Sequence, residues 1–119
     1  MTATGPDAAT VAAEREAARD VLAFTYSTPA YWATLEHHGW GDVGRSLLAR
    51  TKAGQWDGMR ELVNDAMLDA LVPTAPFGEI AALLRERYEG VAEALTLRLP
   101  KDPAHDDAFA RVIETLRQN

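Results

Sequence analysis

Residues 59–71 read MRELVNDAMLDAL, and this stretch decides the structural class of the chain. Its apolar side chains recur at steps of three and four residues: Met59, Leu62, Val63, Ala66, Met67, Ala70 and Leu71. Because an α-helix turns once every ~3.6 residues, this spacing places all of them on one wide face. The stretch therefore predicts an amphipathic helix that buries one side in a core.

Five further helices are predicted from apolar periodicity and from their end signals. An Ala-rich start favours a first helix from about Asp7 to Tyr26, since Ala has the highest helix propensity. The others are expected at residues 29–38, 42–53, 76–88 and from about 103 to 116. Their boundaries are predicted from three kinds of residue. The N-caps are Thr28, Asp42 and Thr74, and the prolines of the first turns are Pro29, Pro76 and Pro103. The glycines that end helices are Gly39, Gly54 and Gly90.

One segment has the period of a strand. Leu95, Leu97 and Leu99 alternate with smaller or polar residues from Ala94 onward, and Pro100 ends the pattern. The predicted fold is therefore mainly α, with about six helices and one short β-strand at residues 94–99. A lone strand lacks a ladder partner, and unpaired backbone groups are costly to bury. We expect it to pair with another copy of the chain or with polypeptide outside this sequence.

The composition narrows the class of protein. The chain has 119 residues, no Cys and a net charge of −6, which is typical of a single small domain. The absence of Cys excludes disulfides and thiolate metal sites, and it fits the reducing cytoplasm, where we expect the protein. Dispersed basic residues argue against nucleic-acid binding. No apolar segment reaches the ~18 residues of a membrane span, which argues against a membrane partner.

Four motifs follow one another along the chain: AFTYSTPAY at residues 23–31, LEHHGWGD at residues 35–42, GQWD at residues 54–57 and NDAMLDA at residues 64–70. In order and spacing they resemble the C-terminal third of the luciferase-like monooxygenase superfamily, most closely its F420-dependent branch. Thr4-Gly5 is similar to the end of a barrel strand. Residues 87–97 are similar to the family's final helix-to-strand step.

The resemblance implies the C-terminal portion of a (β/α)8 TIM barrel, a fold that needs ~250 residues. Residues 1–119 would then be a single partial domain, without the family's catalytic His and most of its cofactor contacts. The implied reaction is hydride transfer between coenzyme F420 and an organic substrate, with FMN as the alternative cofactor. We expect little or no turnover from this chain alone, so its status as an enzyme stays open. Its expected partners are the missing barrel portion and a small-molecule substrate.

One departure from the family pattern concerns the turn after the amphipathic helix. Where relatives have a barrel strand and a Val-Gly-Thr-Pro turn, this chain has Leu71-Val72-Pro73-Thr74-Ala75-Pro76. Pro73 lacks the N–H that a central strand donates. The strand is therefore expected to be disrupted here.

The candidate pocket residues lie between the first and third predicted helices. Hydroxyls and aromatic rings cluster around a proline in Tyr26, Ser27, Thr28 and Tyr31, and the resemblance implies a cofactor or substrate pocket there. The alternative is an ordinary helix joint with Thr28 as its cap and the rings in the core. His38 and Trp40 are the other two candidates, at the expected pocket edge.

Metal binding and carboxylate catalysis are not expected. His37 and His38 are adjacent, so on a helix they diverge by about 100° and cannot hold one ion together. Four acids at four-residue spacing, Asp57, Glu61, Asp65 and Asp69, predict either a solvated helix face or a docking face for a basic surface. Four cations could reach an anionic cofactor tail or lie scattered on the surface: Arg45, Arg50, Lys52 and Arg98.

A second hypothesis belongs to a different class of protein. The chain would be a small helical interaction module without catalytic activity, associating as a homodimer through the unpaired strand and exposed apolar stripes.

Overall fold

A computed structural model of the protein describes residues 1–118, and this part of the chain is mainly helical, as predicted. Six α-helices follow one another: α1 (Ala8–Tyr26), α2 (Trp32–His37), α3 (Gly41–Lys52), α4 (Asp65–Leu71), α5 (Phe77–Tyr88) and α6 (Asp106–Arg117). Short 3-10 turns precede three of them, at Pro29–Tyr31, Met59–Leu62 and Pro103–His105. None of the described helices is long and apolar enough to cross a membrane.

The chain forms two compact units. The terminal unit comprises Met1–Glu16 and the described residues from Asp69 onward, and the central unit comprises Ala17–Leu68. The boundaries fall inside α1 and α4. The prediction that residues 1–119 make one partial barrel domain stays a prediction.

The first helix begins where the sequence predicts. The Asp7 carboxylate accepts a hydrogen bond from the Thr10 backbone N–H at 2.8 Å, which caps α1. This bond stabilises the charged form, so together with the Thr10 side chain it lowers the pKa of Asp7 below its usual 3.8. Within the central unit, α1 buries Ala18, Leu22 and Ala23.

All three predicted N-caps act differently from expectation. Thr74 does not cap α5, whose N-cap is Pro76, and the Thr74 hydroxyl donates to the Val72 carbonyl instead. Thr28 stands at the N-cap of the Pro29–Tyr31 turn, but its side chain makes no capping bond. Asp42 does not cap α3, because the helix already starts at Gly41 with Trp40 at the N-cap. The Asp42 carboxylate instead accepts a hydrogen bond from Arg45 one turn later. Gly39 does end its helix, at a φ of 79° that a side chain disfavours.

The continuous helix predicted over residues 59–71 is wrong. A 3-10 turn spans Met59–Leu62, Val63 is extended, and α4 starts only at Asp65. The break arises because the Asn64 side-chain oxygen accepts a hydrogen bond from Met67 N–H at 2.9 Å and so caps a new helix. The predicted apolar stripe is inward only in part: Met59, Val63 and Met67 are buried, but Ala66 and Ala70 are exposed. Leu68, which the pattern did not include, is buried.

The row of acids at four-residue spacing is interrupted by the same break, and two of its members are paired. In the central unit Asp65 accepts a hydrogen bond from Arg19 at 2.6 Å. In the terminal unit Asp69 accepts one from Arg15 at 2.7 Å. Arg15 and Arg19 are one turn apart on α1, as Asp65 and Asp69 are on α4. All four acids are exposed, as the predicted solvated face requires, and two of them also make ion pairs within their own units.

The terminal unit contains one isolated parallel β-bridge, between Ala3 and Thr74. Ala3 N–H donates to the Pro73 carbonyl at 2.9 Å, and Ala75 N–H donates to the Ala3 carbonyl at 3.2 Å. In such a ladder the next donor toward the chain start would be the N–H of residue 73. Pro73 has none, so the ladder stops there and the disruption expected from the sequence is observed. Toward the other end of the two segments, Phe77 N–H donates to the Gly5 carbonyl at 2.8 Å.

Helices α5 and α6 enclose the main apolar cluster of the terminal unit. The buried residues of this cluster are Ala75, Ile80, Ala81, Leu84 and Val112. Arg85 on α5 donates hydrogen bonds to the carbonyls of Thr115 and Gln118, which ties it to the end of α6. Each of the two helices contributes one residue, Phe77 and Phe109, to the lining of the cavity described below.

The predicted β-strand at residues 94–99 is not formed. The segment connects α5 to the Pro103–His105 turn without regular structure, and Leu97 packs against the apolar cluster. The physical reason is the lack of a ladder, because no second strand lies beside this segment among the described residues. The alternation of Leu and smaller residues is a strand pattern that needs a neighbour to become a strand.

Candidate functional site

A cavity of about 210 Å³ lies in the terminal unit, where three parts of the chain converge. Its walls come from residues around Thr4 and Gly5, from the start of α1 and α5, and from the connection leading into α6. Thr4 and Gly5 follow the β-bridge directly, so they stand at the carboxyl end of the extended segment. Carboxyl ends of parallel strands are where α/β folds place their ligand sites.

The hydroxyl of Thr4 is an unusual feature of this wall. Its Oγ1 is fully buried and hydrogen-bonds to no group of residues 1–118. Leaving a buried hydroxyl unpaired costs ~1–3 kcal/mol, which marks such atoms as places where a polar ligand group would be favourable.

Charged side chains line the opposite side. Arg98 and Lys101 contribute two cations, and half-buried His105 lies one helical turn before Phe109. Lys101 Nζ lies 3.2 Å from a carboxylate oxygen of Glu14, which also lines the cavity. The Asp102 carboxylate accepts a hydrogen bond from Ala104 N–H at 2.9 Å, so it caps the turn before α6. Lys101 is therefore paired with Glu14, whereas the Arg98 guanidinium can donate two parallel hydrogen bonds to an anionic group.

An aromatic pair and a glycine shape the remaining wall. The rings of Phe77 and Phe109 lie 5.8 Å apart at 50°, and both residues line the cavity. Such a pair offers an apolar surface to a flat ring. At Gly5 an added Cβ would lie 2.5 Å from the Thr10 methyl carbon, so a side chain there would collide with α1. Glycine therefore allows the backbone at residue 5 to approach Thr10 of α1 closely, and this contact shapes one corner of the cavity.

Of the predicted pocket residues, those around the proline are divided between interior and surface. Tyr26 and Ser27 are buried, whereas Thr28 and Tyr31 are exposed. The Ser27 hydroxyl donates to the Phe24 carbonyl at 2.6 Å and so ends α1 locally. The helix-joint alternative is met only in part, because Tyr26 is in the core but Thr28 makes no capping bond and Tyr31 is exposed. The pocket role of the four residues stays a prediction. None of the four lines the cavity of the terminal unit.

His38 and Trp40 lie together in the central unit. Their rings stack at 4.6 Å with 16° between the planes, and His37 meets His38 edge-on at 5.2 Å. Both histidines are exposed and Trp40 is half-buried. The stack gives this turn a flat aromatic surface, but no group of three or more potential metal ligands occurs in residues 1–118.

Trp32 organises the same region and was not singled out from the sequence. Its indole N–H donates to the Tyr26 carbonyl at 2.8 Å, which joins α2 to the end of α1. An added Cβ at Gly44 would lie 2.6 Å from the same nitrogen, so the indole rests directly on α3. The signal available was Gly44 itself, a glycine inside a helix, which often marks a close approach.

The four candidate cations have separate surroundings. Arg45 pairs with Asp42 on α3, and Arg50 donates to the Asp57 carbonyl at 3.4 Å. Lys52 is exposed at the end of α3. Among the four, Arg98 lines the cavity of the terminal unit.

Comparison with known proteins gives mycobacterial relatives. The chain is 46% identical over 93 residues to the uncharacterized protein Mb1395 of Mycobacterium bovis, and equally to the uncharacterized proteins Rv1360 and MT1405 of Mycobacterium tuberculosis. Each match covers 78% of this chain and 27% of the relative, so the chain spans about a quarter of their length. No protein-family model matches the chain, and no solved structure gives a significant match.

Proposed function

We propose that this chain forms part of a luciferase-like (β/α) barrel that transfers hydride between coenzyme F420 and an organic substrate. The observation that carries the proposal is the parallel bridge between Ala3 and Thr74, which are joined through helices α1 to α4. A parallel pair needs a long crossover, and helical crossovers are the building unit of α/β barrels. The motif resemblance at residues 23–42 and 54–70 supplies the family and the cofactor.

The size of the relatives supports the same proposal. Because the 93 matched residues are 27% of each relative, these proteins are about 340 residues long. That length lies within the range of roughly 200 to more than 400 residues that complete TIM barrels span. The present chain would supply one wall of such a barrel.

We infer that the cavity of the terminal unit would hold part of the deazaflavin. Arg98, with Lys101 beside it, would hold an anionic group of the cofactor, and the Thr4 hydroxyl would donate to a polar edge. The rings of Phe77 and Phe109 would shield a flat ring from water. Bound F420 would supply the hydride chemistry, while these side chains would position it. At about 210 Å³ the cavity is smaller than the ~300–1,000 Å³ of complete ligand pockets, so it would hold a part of the cofactor.

A titration of the purified chain with F420 tests this proposal. We expect saturable quenching of F420 fluorescence, and we expect Arg98→Gln to weaken binding by about tenfold because it removes one charged hydrogen-bonding group. Arg111→Gln is the matched control, since Arg111 is an exposed residue of α6 outside the cavity lining. Equal affinity of the two variants, or no binding by the unaltered chain, would contradict the proposed cofactor site.

The same titration with FMN separates the two cofactors. Tighter binding of FMN than of F420 would move the proposal to the flavin branch of the superfamily. The cysteine-free composition suits the reducing cytoplasm, which is the compartment we propose.

A second candidate function is a homodimerising interaction module. The observation that favours it is the exposure of large apolar side chains around the unformed strand, with Val91 80% and Leu99 74% exposed. Sedimentation of the same sample separates the candidates. A dimer that leaves F420 fluorescence unchanged supports the module, whereas a monomer that binds F420 supports the barrel wall.

A further inference from the structure

Two large aromatic side chains of the central unit lie exposed beside one cavity. Phe24, near the end of α1, is 68% exposed, and Trp56, in the loop after α3, is 57% exposed. Both line a cavity of about 320 Å³, whose other lining residues also belong to the central unit. Exposed apolar side chains scattered singly need no explanation, but two rings on one cavity indicate a candidate ligand site. We call this cavity, lined by Phe24 and Trp56, the aromatic cleft.

The ring faces of the aromatic cleft are available to a ligand. Among the described residues, neither Phe24 nor Trp56 contacts another aromatic ring. Ala23 and Met59 also line the cleft and are buried, so its inner part is apolar. Aromatic faces attract cations, and an indole does so most strongly. The cleft therefore suits a ligand that combines a positive charge with an apolar part.

The charged groups of the cleft leave one carboxylate unpaired. Arg60 Nε lies 3.1 Å from a carboxylate oxygen of Asp20, so these two opposite charges of the lining offset each other. Asp57 also lines the cleft and is exposed. In the described part of the chain, no side-chain hydrogen bond or ion pair involves its carboxylate. Together with the net charge of −6, this carboxylate favours a cationic ligand.

The loop that carries Trp56 and Asp57 is held in place by Arg50. Gln55 N–H donates to the Arg50 carbonyl at 2.9 Å, and the Arg50 guanidinium donates to the Asp57 carbonyl at 3.4 Å. The second bond uses the backbone of Asp57, so its carboxylate stays accessible. Groups that are already held in position lose less conformational freedom when a ligand binds.

We propose that the aromatic cleft binds a small organic cation that carries a guanidinium group. The planar guanidinium stacks on the Trp56 indole and donates two parallel hydrogen bonds to the Asp57 carboxylate. The apolar part of the ligand packs against Phe24. A guanidinium fits better than a quaternary ammonium, which has the charge but no N–H to donate. None of these residues lines the cavity proposed for F420, so the inference goes beyond the oxidoreductase proposal and does not rest on it.

Titration of the full chain with butylguanidine tests the proposal. Calorimetry measures the affinity, and the NMR shift of the Trp56 indole N–H reports the place of binding. We expect saturable binding with a millimolar dissociation constant, as suits a small ligand in an open cleft. Butyltrimethylammonium has the same chain and charge without N–H donors, and we expect it to bind about tenfold more weakly.

Two substitutions with matched controls test the two parts of the site. Asp57→Asn should weaken butylguanidine binding about tenfold, because it removes a charged acceptor. Its control is Glu36→Gln, which removes an exposed acid of α2 outside the cleft lining and should change the affinity by less than about twofold. Trp56→Leu should weaken binding about threefold by removing the stacking face. Its control is Tyr31→Leu, which removes an exposed ring of the same unit outside the lining.

The four variants should fold normally, because all four substituted side chains are exposed. Urea midpoints and helical circular dichroism check this. The proposal is overturned if butylguanidine does not bind saturably, or if Asp57→Asn or Trp56→Leu binds it as tightly as the unaltered chain. Equal affinity for butyltrimethylammonium would also overturn the guanidinium assignment. A self-associated chain that Trp56→Leu dissociates would do the same, since a second copy would then cover the cleft.

Discussion

Trp32 and Gly44 show how single residues set the geometry of the central unit. The indole N–H of Trp32 holds the Tyr26 carbonyl, and its ring occupies the space that a side chain at residue 44 would take. Gly44 is buried inside α3, where glycine ordinarily weakens a helix by ~1 kcal/mol relative to Ala. The close approach of the indole is the physical reason for keeping glycine there.

This contact predicts that replacing Gly44 by alanine destabilises the protein, although alanine ordinarily stabilises a helix relative to glycine. We expect Gly44→Ala to lower the free energy of unfolding by about 1–2 kcal/mol, because overpacking of ~1–3 kcal/mol exceeds the gain in helix propensity. Gly78→Ala is the control, since an added Cβ on Gly78 meets nothing within 4 Å in helix α5. It should be neutral or stabilising by up to ~1 kcal/mol. Urea unfolding of both variants measures the difference, and a stabilised Gly44→Ala would refute the contact.

At the scale of elements, Asn64 divides what the apolar pattern presents as one helix. Its side chain offers Met67 N–H an acceptor, and Gly58 adopts a left-handed φ of 77° before the Met59–Leu62 turn. The division leaves Asp65 in the first turn of α4, next to the positive end of the helix dipole. Periodicity alone does not report such a break, because buried residues on both sides keep the same spacing.

The cap gives a direct prediction. Asn64→Ala should lower the free energy of unfolding by about 1 kcal/mol, the typical loss for an N-cap acceptor. Asn64→Asp keeps an acceptor oxygen and should stay close to the unaltered protein at neutral pH. Both are measured by urea unfolding followed by circular dichroism. If Asn64→Ala were neutral while helix content rose, residues 59–71 would form the continuous helix that their sequence suggests.

At the scale of the whole molecule, the described residues form six helices and one isolated parallel bridge. The Ala3–Thr74 bridge is in place, but Pro73 limits it and residues 94–99 stay unpaired. A barrel distributes its reacting groups over several strand ends. Under the proposed function, one bridge and one cavity of about 210 Å³ would supply a wall of such a site and not all of its reacting groups.

We therefore predict that the isolated chain has little or no F420-dependent turnover, even where it binds the cofactor. The expected assay result is no loss of F420 absorbance with candidate substrates above the enzyme-free rate. Turnover by the purified chain alone would contradict this prediction.

The candidate site was only partly accessible from the sequence. Arg98 was identified as a cation suited to an anionic ligand, and it does line the cavity. Thr4 was noted only as the end of a barrel strand, and Phe77 and His105 were not identified as site residues. The three are separated by up to about a hundred residues, and no shared spacing connects them. Such residues come together only when the chain folds, so their spacing in the sequence cannot predict that they line the same cavity.

The sequence by itself determined the helical class, the positions of most helices and the disrupting effect of Pro73. These are local properties, set by propensity, apolar period and the missing N–H of proline. The tertiary structure decided which patterns became elements. Residues 59–71 broke at Asn64 because a side chain competed for a backbone donor. Residues 94–99 stayed irregular because a strand is made by its neighbour, and the described chain provides none.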